Sequence, residues 1–329
     1  MSWWFRQRVV HEPLSVLVSK SLVILTRLKD LKNALLPEFL SSWLRSSPKL
    51  PPGLPPMADF QVHTRRVTQV LACNPGRFTL NGTNTYVVGT GRHRMLIDCG
   101  EGRPAYATAI REACRRLDCD ITTLLLTHSH FDHIGGLPQL RRLFPRIKVR
   151  RFDSSSDGLQ DGETIVVDEE TTLRVLFTPG HCFDHCCFLL PEEKAIFAGD
   201  NVLGYGTSWF ENLDQYVASL RTMKNVAERE QLQRLYPGHG AASDDAQKLI
   251  TYYLSHRLER ETQITNHLKE NTLTSLQLVR RIYGPTLPSF LIFAAQSNVL
   301  AHLNRLQRAG DVANISIDIW ALLEEEKNK

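Results

Sequence analysis

The chain has 329 residues, of which 42% are hydrophobic and 22% charged, a balance typical of a globular protein of about two domains. This composition excludes a disordered, collagen-like or coiled-coil chain. The longest apolar run, Leu14–Leu25, is interrupted by Lys20 and is shorter than the ~20 residues of a membrane span, so we predict no integral membrane association. Seven cysteines are too few for a disulfide framework, which predicts free thiols and a reducing compartment.

The N-terminal segment, residues 1–56, carries the excess positive charge of the chain. It holds eight Lys and Arg residues and three acidic ones, whereas the net charge of the whole chain is +4. Residues 57–329 therefore hold 31 basic and 32 acidic residues and are close to neutral. Apolar side chains of the segment recur mostly at steps of three or four, as on one face of a helix: Leu17, Ile24, Leu28, Leu31, Leu35, Phe39 and Trp43. A proline-rich linker follows: Pro48, Pro51, Pro52, Pro55 and Pro56.

Three interpretations of residues 1–56 stay open. A basic, amphipathic N-terminus with few acids is typical of a mitochondrial transit peptide, so we expect a cytoplasmic or mitochondrial protein. Alternatively the segment is a helix that packs on the rest of the chain, or an extension upstream of a second start at Met57.

Short β-rich runs alternate with helical runs from Phe60 to about Leu235, which predicts an α/β fold. The candidate strands are Asn84–Val88, Arg94–Asp98, Thr122–Leu126, Leu173–Phe177, Phe188–Leu190 and Ala195–Phe197. The candidate helices in this part are Ala105–Leu117 and Leu213–Met223. Beyond it the pattern is mainly helical, over Ala246–Asn271, Leu276–Tyr283 and Ala294–Ala309, before a short apolar run, Ile315–Ile319. We therefore predict a main domain over 57–245 and a small winged-helix-like domain over 246–329.

The loop after the run Ile121–Leu126 concentrates residues that bind metals. His128, His130, Asp132 and His133 fall within six positions there, and imidazole and carboxylate groups together suit Zn²⁺ and related first-row metals. Three further residues of the same type follow later segments: His181, Asp200 and His239. The first and the last of them come directly after a Pro-Gly turn. Their shared context favours one composite metal site.

These motifs resemble those of the metallo-β-lactamase superfamily over about residues 60–245. The resemblance implies an αββα sandwich that holds two zinc ions. It places one ion on His128, His130 and His181, the other on Asp132, His133 and His239, and Asp200 between the two. It also implies that Asp98, at the end of Met95-Leu96-Ile97-Asp98, orients one of the ligands. A bridging water would then act as the nucleophile, and a protonated Asp132 would assist the leaving group.

The sequence around Asp200 and the Gly82-Thr83-Asn84-Thr85-Tyr86 run are similar to the lactamase-like-protein-2 branch of this superfamily. That branch includes fungal thioesterases that release polyketides from acyl carrier protein, and a mitochondrial endoribonuclease. The resemblance implies a zinc-dependent thioesterase of secondary metabolism whose partner is an acyl carrier protein or the carrier domain of a polyketide synthase. The alternatives are an endoribonuclease acting on single-stranded RNA and a non-catalytic binding module. The near-neutral charge of 57–329 favours the thioesterase, because binding of a phosphate backbone requires a basic surface.

Several other candidates lie close to the motifs. We interpret Cys182, Cys186 and Cys187 as packing residues, since histidines and aspartates already complete the site. His185 is either a structural residue or one that supports a ligand or contacts the substrate. The basic cluster that includes Arg257 and Arg260 either contacts an anionic substrate or, as we favour, lies on a solvated helix face.

Overall fold

The computed structural model describes residues 50–323 except 52, 154–156, 286 and 288. The amphipathic part of the N-terminal segment, and with it the transit-peptide interpretation, lies outside these residues. The described residues form two compact units, which divide between Arg257 and Leu258, inside a long helix. The predicted limits of the domains stay a prediction. None of the described helices combines the length and the apolar character that a membrane crossing needs.

The first sheet of the larger unit has six strands in sequential order. They are β1 (Phe60–Val62), β2 (Val67–Leu71), β3 (Asn84–Val88), β4 (His93–Ile97), β5 (Asp120–Leu125) and β6 (Lys148–Arg150). The first four strands pair antiparallel, whereas β4, β5 and β6 are parallel to one another. Helix α1 (Pro104–Arg116) connects β4 to β5, as a parallel connection requires.

The second sheet has five strands, in the order β11-β10-β9-β8-β7. They are β7 (Thr164–Asp168), β8 (Thr171–Phe177), β9 (Cys186–Leu190), β10 (Ala195–Gly199) and β11 (Arg234–Pro237). Strands β10 and β11 are parallel and the others are antiparallel. A 3₁₀ turn (Pro191–Glu193) joins β9 to β10, and helix α4 (Leu213–Arg229) connects β10 to β11.

The hydrophobic core lies between the two sheets. Val88 and Ile97 of the first sheet pack in one buried cluster with Phe188 and Phe197 of the second. A second cluster joins the other face of the first sheet to α1, for instance through Ile110. Helix α4 buries the side chains of its apolar stripe, including Tyr216, Leu220 and Met223. Two sheets with helices outside them confirm the predicted α/β sandwich.

Two short helices, α2 (Phe131–Ile134) and α3 (Leu137–Leu143), follow β5. The long helix α5 (Ala246–Glu270) then leads into the C-terminal unit. That unit contains α6 (Ser275–Tyr283), α7 (Ser289–Ala309) and a three-stranded sheet of β12 (Leu273–Thr274), β13 (Val312–Ser316) and β14 (Ile319–Leu322). Its core includes Leu278, Val299, Leu303 and Trp320. Helices followed by a β-hairpin confirm the predicted winged-helix-like architecture.

Candidate metal centre

Four of the predicted site residues follow strands that end at one edge of the sandwich. In the first sheet, Asp98 follows β4 and His128 follows the parallel strand β5 by three residues. In the second sheet, Asp200 follows β10 and His239 follows the parallel strand β11 by two residues. Parallel neighbours end at the same edge of a sheet, so each sheet presents its own pair of polar residues there.

Hydrogen bonds to backbone carbonyls hold the two sheets together at this edge. The amide of Asn84, on β3, donates to the Gly238 carbonyl at 2.8 Å, and its side-chain amide donates to the Pro237 carbonyl at 2.9 Å. The amide of Cys186, on β9, donates to the Thr127 carbonyl at 2.8 Å. The loops of both sheets therefore converge on a single cluster.

Three histidines form the first group of the cluster. Nδ1 of His130 lies 3.1 Å from Nε2 of His128 and 3.0 Å from Nε2 of His181. Burial, reinforced by the neighbouring histidines, lowers the pKa of His128 well below its usual value and that of His181 to about 3. Burial also lowers the pKa of His130. The three rings are therefore neutral near pH 7, which is the state in which imidazole binds a metal.

Asp132, His133, Asp200 and His239 form the second group. Nε2 of His239 lies 3.1 Å from Oδ2 of Asp132 and 3.3 Å from Oδ2 of Asp200. Nε2 of His133 lies 3.3 Å from Nε2 of His239 and 3.4 Å from Oδ1 of Asp200. Burial lowers the pKa of His239, but the carboxylates of Asp200 and Asp132 outweigh it and raise this pKa to about 9. Without another cation, the protein's own histidines carry the charge that balances the two acids.

Asp200 lies against both groups. Its Oδ2 is 3.3 Å from His239 and 3.7 Å from Nε2 of His181. Its Oδ1 is buried and accepts no hydrogen bond from any described residue. A Cβ atom at Gly238 would lie 2.2 Å from this oxygen, so only glycine leaves room for it. A buried carboxylate oxygen without a donor is costly unless a cation satisfies it, so this arrangement fits a metal.

Hydrogen bonds to the outer ring nitrogens orient the histidines. Nδ1 of His133 donates to Oδ2 of Asp98 at 2.8 Å, and Nδ1 of His181 donates to the Trp209 carbonyl at 2.7 Å. Nδ1 of His128 lies 2.9 Å from the Thr127 hydroxyl, which itself donates to Asp98. Each of these rings therefore turns Nε2 towards the cluster, as in metal-binding histidines whose other nitrogen is held by an acceptor. The seven residues predicted as ligands are all brought together, and Asp98 lies directly behind them.

Two further contacts hold the cluster: one through His185, whose role the sequence left open, and one through Trp209, which the sequence did not indicate. His185 is fully buried, and its Nε2 accepts the backbone N–H of Asp200 at 3.1 Å. Its Nδ1 lies 3.0 Å from the Thr178 hydroxyl, so His185 supports the backbone beneath the cluster and does not belong to it. The Trp209 carbonyl lies 28 residues beyond His181 in the chain, and no local pattern indicates this contact.

The cysteines and arginines that the sequence also offered as candidates are buried, but they are not ligands of the cluster. Cys182, Cys186 and Cys187 are buried, and their thiols lie near Asp184, the Leu126 carbonyl and the Ala198 carbonyl. The three cysteines are outside both metal-ligating groups found among the described residues. The solvated helix face favoured for Arg257 and Arg260 is wrong, since only 2% and 8% of these residues are exposed.

A sandwich of two mixed sheets with a buried His/Asp cluster at one edge defines a class of metal-dependent hydrolases. Comparison with known proteins agrees with this class. Residues 78–151 match the metallo-beta-lactamase superfamily, and residues 274–320 match the beta-lactamase associated winged helix domain.

Curated fungal proteins are similar to most of the chain. An "atrochrysone carboxyl ACP thioesterase" of Aspergillus fumigatus is 40% identical over 265 residues, which cover 75% of this chain and 80% of that protein. "Lactamase-like protein aptB" of Emericella nidulans is 42% identical over 261 residues, 75% of this chain and 82% of that protein. The crystal structure of a beta-lactamase domain protein from Burkholderia ambifaria shares the fold, with a TM-score of 0.69, 18% identity and coverage of 83% of this chain and 96% of that one. The chain belongs to the metallo-β-lactamase superfamily.

Proposed function

We propose that the protein is a dinuclear zinc hydrolase that releases an acyl or polyketide chain from an acyl carrier protein by cleaving the thioester. The observation that carries the hydrolase part is the convergence of two His/Asp groups on the shared carboxylate of Asp200. The substrate part rests on the likeness to fungal proteins named as carrier-protein thioesterases. This reaction adds water to the thioester and yields a carboxylic acid and the free thiol of the carrier.

Each group of the cluster would hold one zinc ion. His128, His130 and His181 would bind the first, Asp132, His133 and His239 the second, and Asp200 would lie between them. Mixed imidazole and carboxylate ligands are typical of zinc in hydrolases. Ions held there would polarise the thioester carbonyl and lower the pKa of a water molecule towards neutrality.

Asp132 is the residue to which we assign proton transfer. A quarter of its side chain is exposed, against 10% for Asp200 and none for His133, so it is the acid of the group that substrate can reach. Burial raises the pKa of Asp132, but the His133 ring and a hydrogen bond from His239 lower it by more. Asp132 therefore begins as a carboxylate. It would accept a proton from the attacking water and return it, as a carboxylic acid, to the departing sulfur.

We assign the reaction to a domain over residues 57–245 and interpret 246–329 as an accessory winged-helix domain. The partner in this proposal is the carrier protein, which presents its substrate on a thiol arm. Residues 57–329 are close to neutral, which supports a substrate other than a nucleic acid backbone. A zinc hydrolase of this kind would act in the cytoplasm or the mitochondrion.

The test is to incubate the purified, zinc-loaded full chain with an acyl thioester on a carrier protein, and separately with labelled single-stranded RNA. We expect metal-dependent release of the carboxylic acid, measured by mass spectrometry, and intact RNA. RNA cleavage without thioester turnover would overturn the proposal in favour of the ribonuclease alternative. No turnover of either substrate, although zinc binds, would also contradict it.

Two variants distinguish hydrolysis at the proposed site from hydrolysis by a contaminating enzyme. Asp200→Asn keeps the shape of the shared ligand but removes its charge, so thioester turnover should fall by at least ~100-fold. Asp161→Asn is the matched control, since Asp161 is an exposed acid whose Oδ1 accepts a hydrogen bond from the Phe177 amide, outside the cluster. It should leave turnover within about twofold of the wild-type value, as expected of a surface substitution.

A further inference from the structure

Arg257, on helix α5, is a buried cation with no acidic partner among the residues that the structure describes. Only 2% of the residue is exposed, and it is one of the largest fully buried side chains there. Among the described residues, no carboxylate lies within ion-pair distance of its guanidinium. Its Nε also lacks a hydrogen-bond partner there. Burying such a group is unfavourable unless its remaining contacts compensate for the lost hydration.

The guanidinium of Arg257 is directed at the loop that follows Asp200. Its terminal nitrogen donates to the Ser208 carbonyl at 2.7 Å, which is the short distance of a charge-assisted hydrogen bond. Its carbon lies 5.1 Å from the Phe210 ring and 5.4 Å from the Tyr216 ring, within range of cation–π attraction. Two aromatic faces thus fix the plane of the guanidinium while it holds one backbone carbonyl.

Tyr253 lies one turn earlier on the same face of α5 and holds the same loop. Its hydroxyl accepts the Leu203 amide at 3.0 Å and lies 3.0 Å from the Gly206 carbonyl. Residues four apart on a helix are neighbours on its surface, so Tyr253 and Arg257 act as a pair. We call this pair and its contacts to residues 203–208 the α5 clamp.

The clamped loop leads directly to the metal cluster. The Trp209 carbonyl, one residue beyond Ser208, accepts the Nδ1–H of His181 at 2.7 Å. The Ser208 hydroxyl donates to the carbonyl of Asp200. The loop therefore fixes both the ring orientation of His181 and the backbone of the shared carboxylate.

We propose that Arg257 and Tyr253 are positioning residues that hold the Trp209 carbonyl where it keeps His181 in its Nδ1–H tautomer with Nε2 facing the cluster. A loosened loop would let this proton move to Nε2, where it would block a metal. The charge of Arg257 is used because a planar guanidinium that also contacts two aromatic rings holds a carbonyl in a more fixed geometry than a flexible donor does. The inference rests on the proposed zinc site.

The test measures Zn²⁺ affinity of the full chain by competition with a chromophoric chelator, alongside the thermal unfolding midpoint of the chelator-treated protein. Arg257→Met removes the donor and keeps an apolar stem, Arg257→Lys keeps a charged donor, and Tyr253→Phe removes the hydroxyl. Arg94→Met is the matched control, because Arg94 is also buried and its Nε donates to the Gly91 carbonyl at 3.1 Å, at the opposite end of β4 from Asp98.

We expect Arg257→Met to weaken zinc binding by the group that contains His181 by about tenfold, the lower limit for residues that orient metal ligands. Arg257→Lys should recover part of this loss, and Tyr253→Phe should weaken zinc by about threefold. Arg94→Met should lower the unfolding midpoint but leave affinity unchanged.

Two results would overturn the inference: wild-type zinc affinity in folded Arg257→Met, or an equal loss of affinity in Arg94→Met. If Arg257→Met does not fold, Tyr253→Phe decides, and unchanged affinity in that variant rejects the clamp. Wild-type protein that binds no zinc, or binds it without thioester turnover, would instead contradict the proposed function. The two failures are therefore distinguishable.

Discussion

Replacing Asp98 by asparagine exchanges one oxygen for an NH₂ group behind the metal cluster. Oδ1 of Asp98 accepts the Thr127 amide at 2.9 Å, and Oδ2 accepts the Thr127 hydroxyl and the His133 Nδ1–H, both at 2.8 Å. The backbone φ at Asp98 is 58°, in the left-handed region that asparagine tolerates as readily as aspartate. The substitution therefore changes hydrogen bonding without straining the backbone.

The side-chain amide introduced by Asp98→Asn would move the proton of the His133 ring from Nδ1 to Nε2. An asparagine that keeps its oxygen on the Thr127 amide turns its NH₂ towards His133 Nδ1, which must then become the acceptor. The proton moves to Nε2, the atom 3.3 Å from Nε2 of His239 and 3.5 Å from Oδ2 of Asp132. A protonated nitrogen cannot bind a metal, so we expect zinc affinity at this group to fall by ~10–100-fold. That loss corresponds to ~1.4–2.7 kcal/mol.

The assay is zinc competition against a chromophoric chelator, with circular dichroism to confirm the fold. Asp168→Asn serves as the control, because Asp168 also accepts backbone amides, those of Thr90 and Gly91 at 2.6 and 3.2 Å, but lies outside the cluster. The control should lose stability and keep its zinc. A folded Asp98→Asn variant with wild-type zinc affinity would refute the idea that Asp98 fixes the tautomer of His133.

Three further predictions concern the same cluster. Gly238→Ala places a Cβ atom 2.2 Å from Oδ1 of Asp200, so elemental analysis should find less zinc per chain, whereas Gly91→Ala, whose Cβ would be 3.8 Å from the nearest atom, should keep its zinc. His185→Leu leaves the Asp200 amide buried without its acceptor, so denaturant unfolding should show a loss of ~1–3 kcal/mol, and an unchanged free energy would contradict the support assigned to His185. Dialysis against a chelator should abolish thioester hydrolysis and added Zn²⁺ should restore it; turnover that survives metal removal would exclude the zinc mechanism.

The elements predicted from sequence agree with the structure where the hydrophobic pattern is simple. The strand Asn84–Val88 has the predicted limits, and helix Ala246–Glu270 ends one residue before its predicted end. Strand Val67–Leu71 was missed because Thr68 and Gln69, two polar residues, are buried within it. Gln69 is satisfied there by the side chain of Asn84 on the neighbouring strand, and a contact between strands leaves no mark on the local pattern.

The sequence by itself indicated the seven ligand candidates. His128, His130, Asp132 and His133 are a chemical signature by their close spacing after a buried strand, and the other three were added because they follow later segments in a similar context. The resemblance to the metallo-β-lactamase superfamily added Asp98, at the end of Met95-Leu96-Ile97-Asp98. Tertiary structure alone decided what holds these groups in place: the Asp200 amide on His185, the Trp209 carbonyl on His181, and the burial of Arg257. These contacts join residues 15 to 49 positions apart, and their partners are often backbone atoms, which every residue possesses and no sequence motif distinguishes.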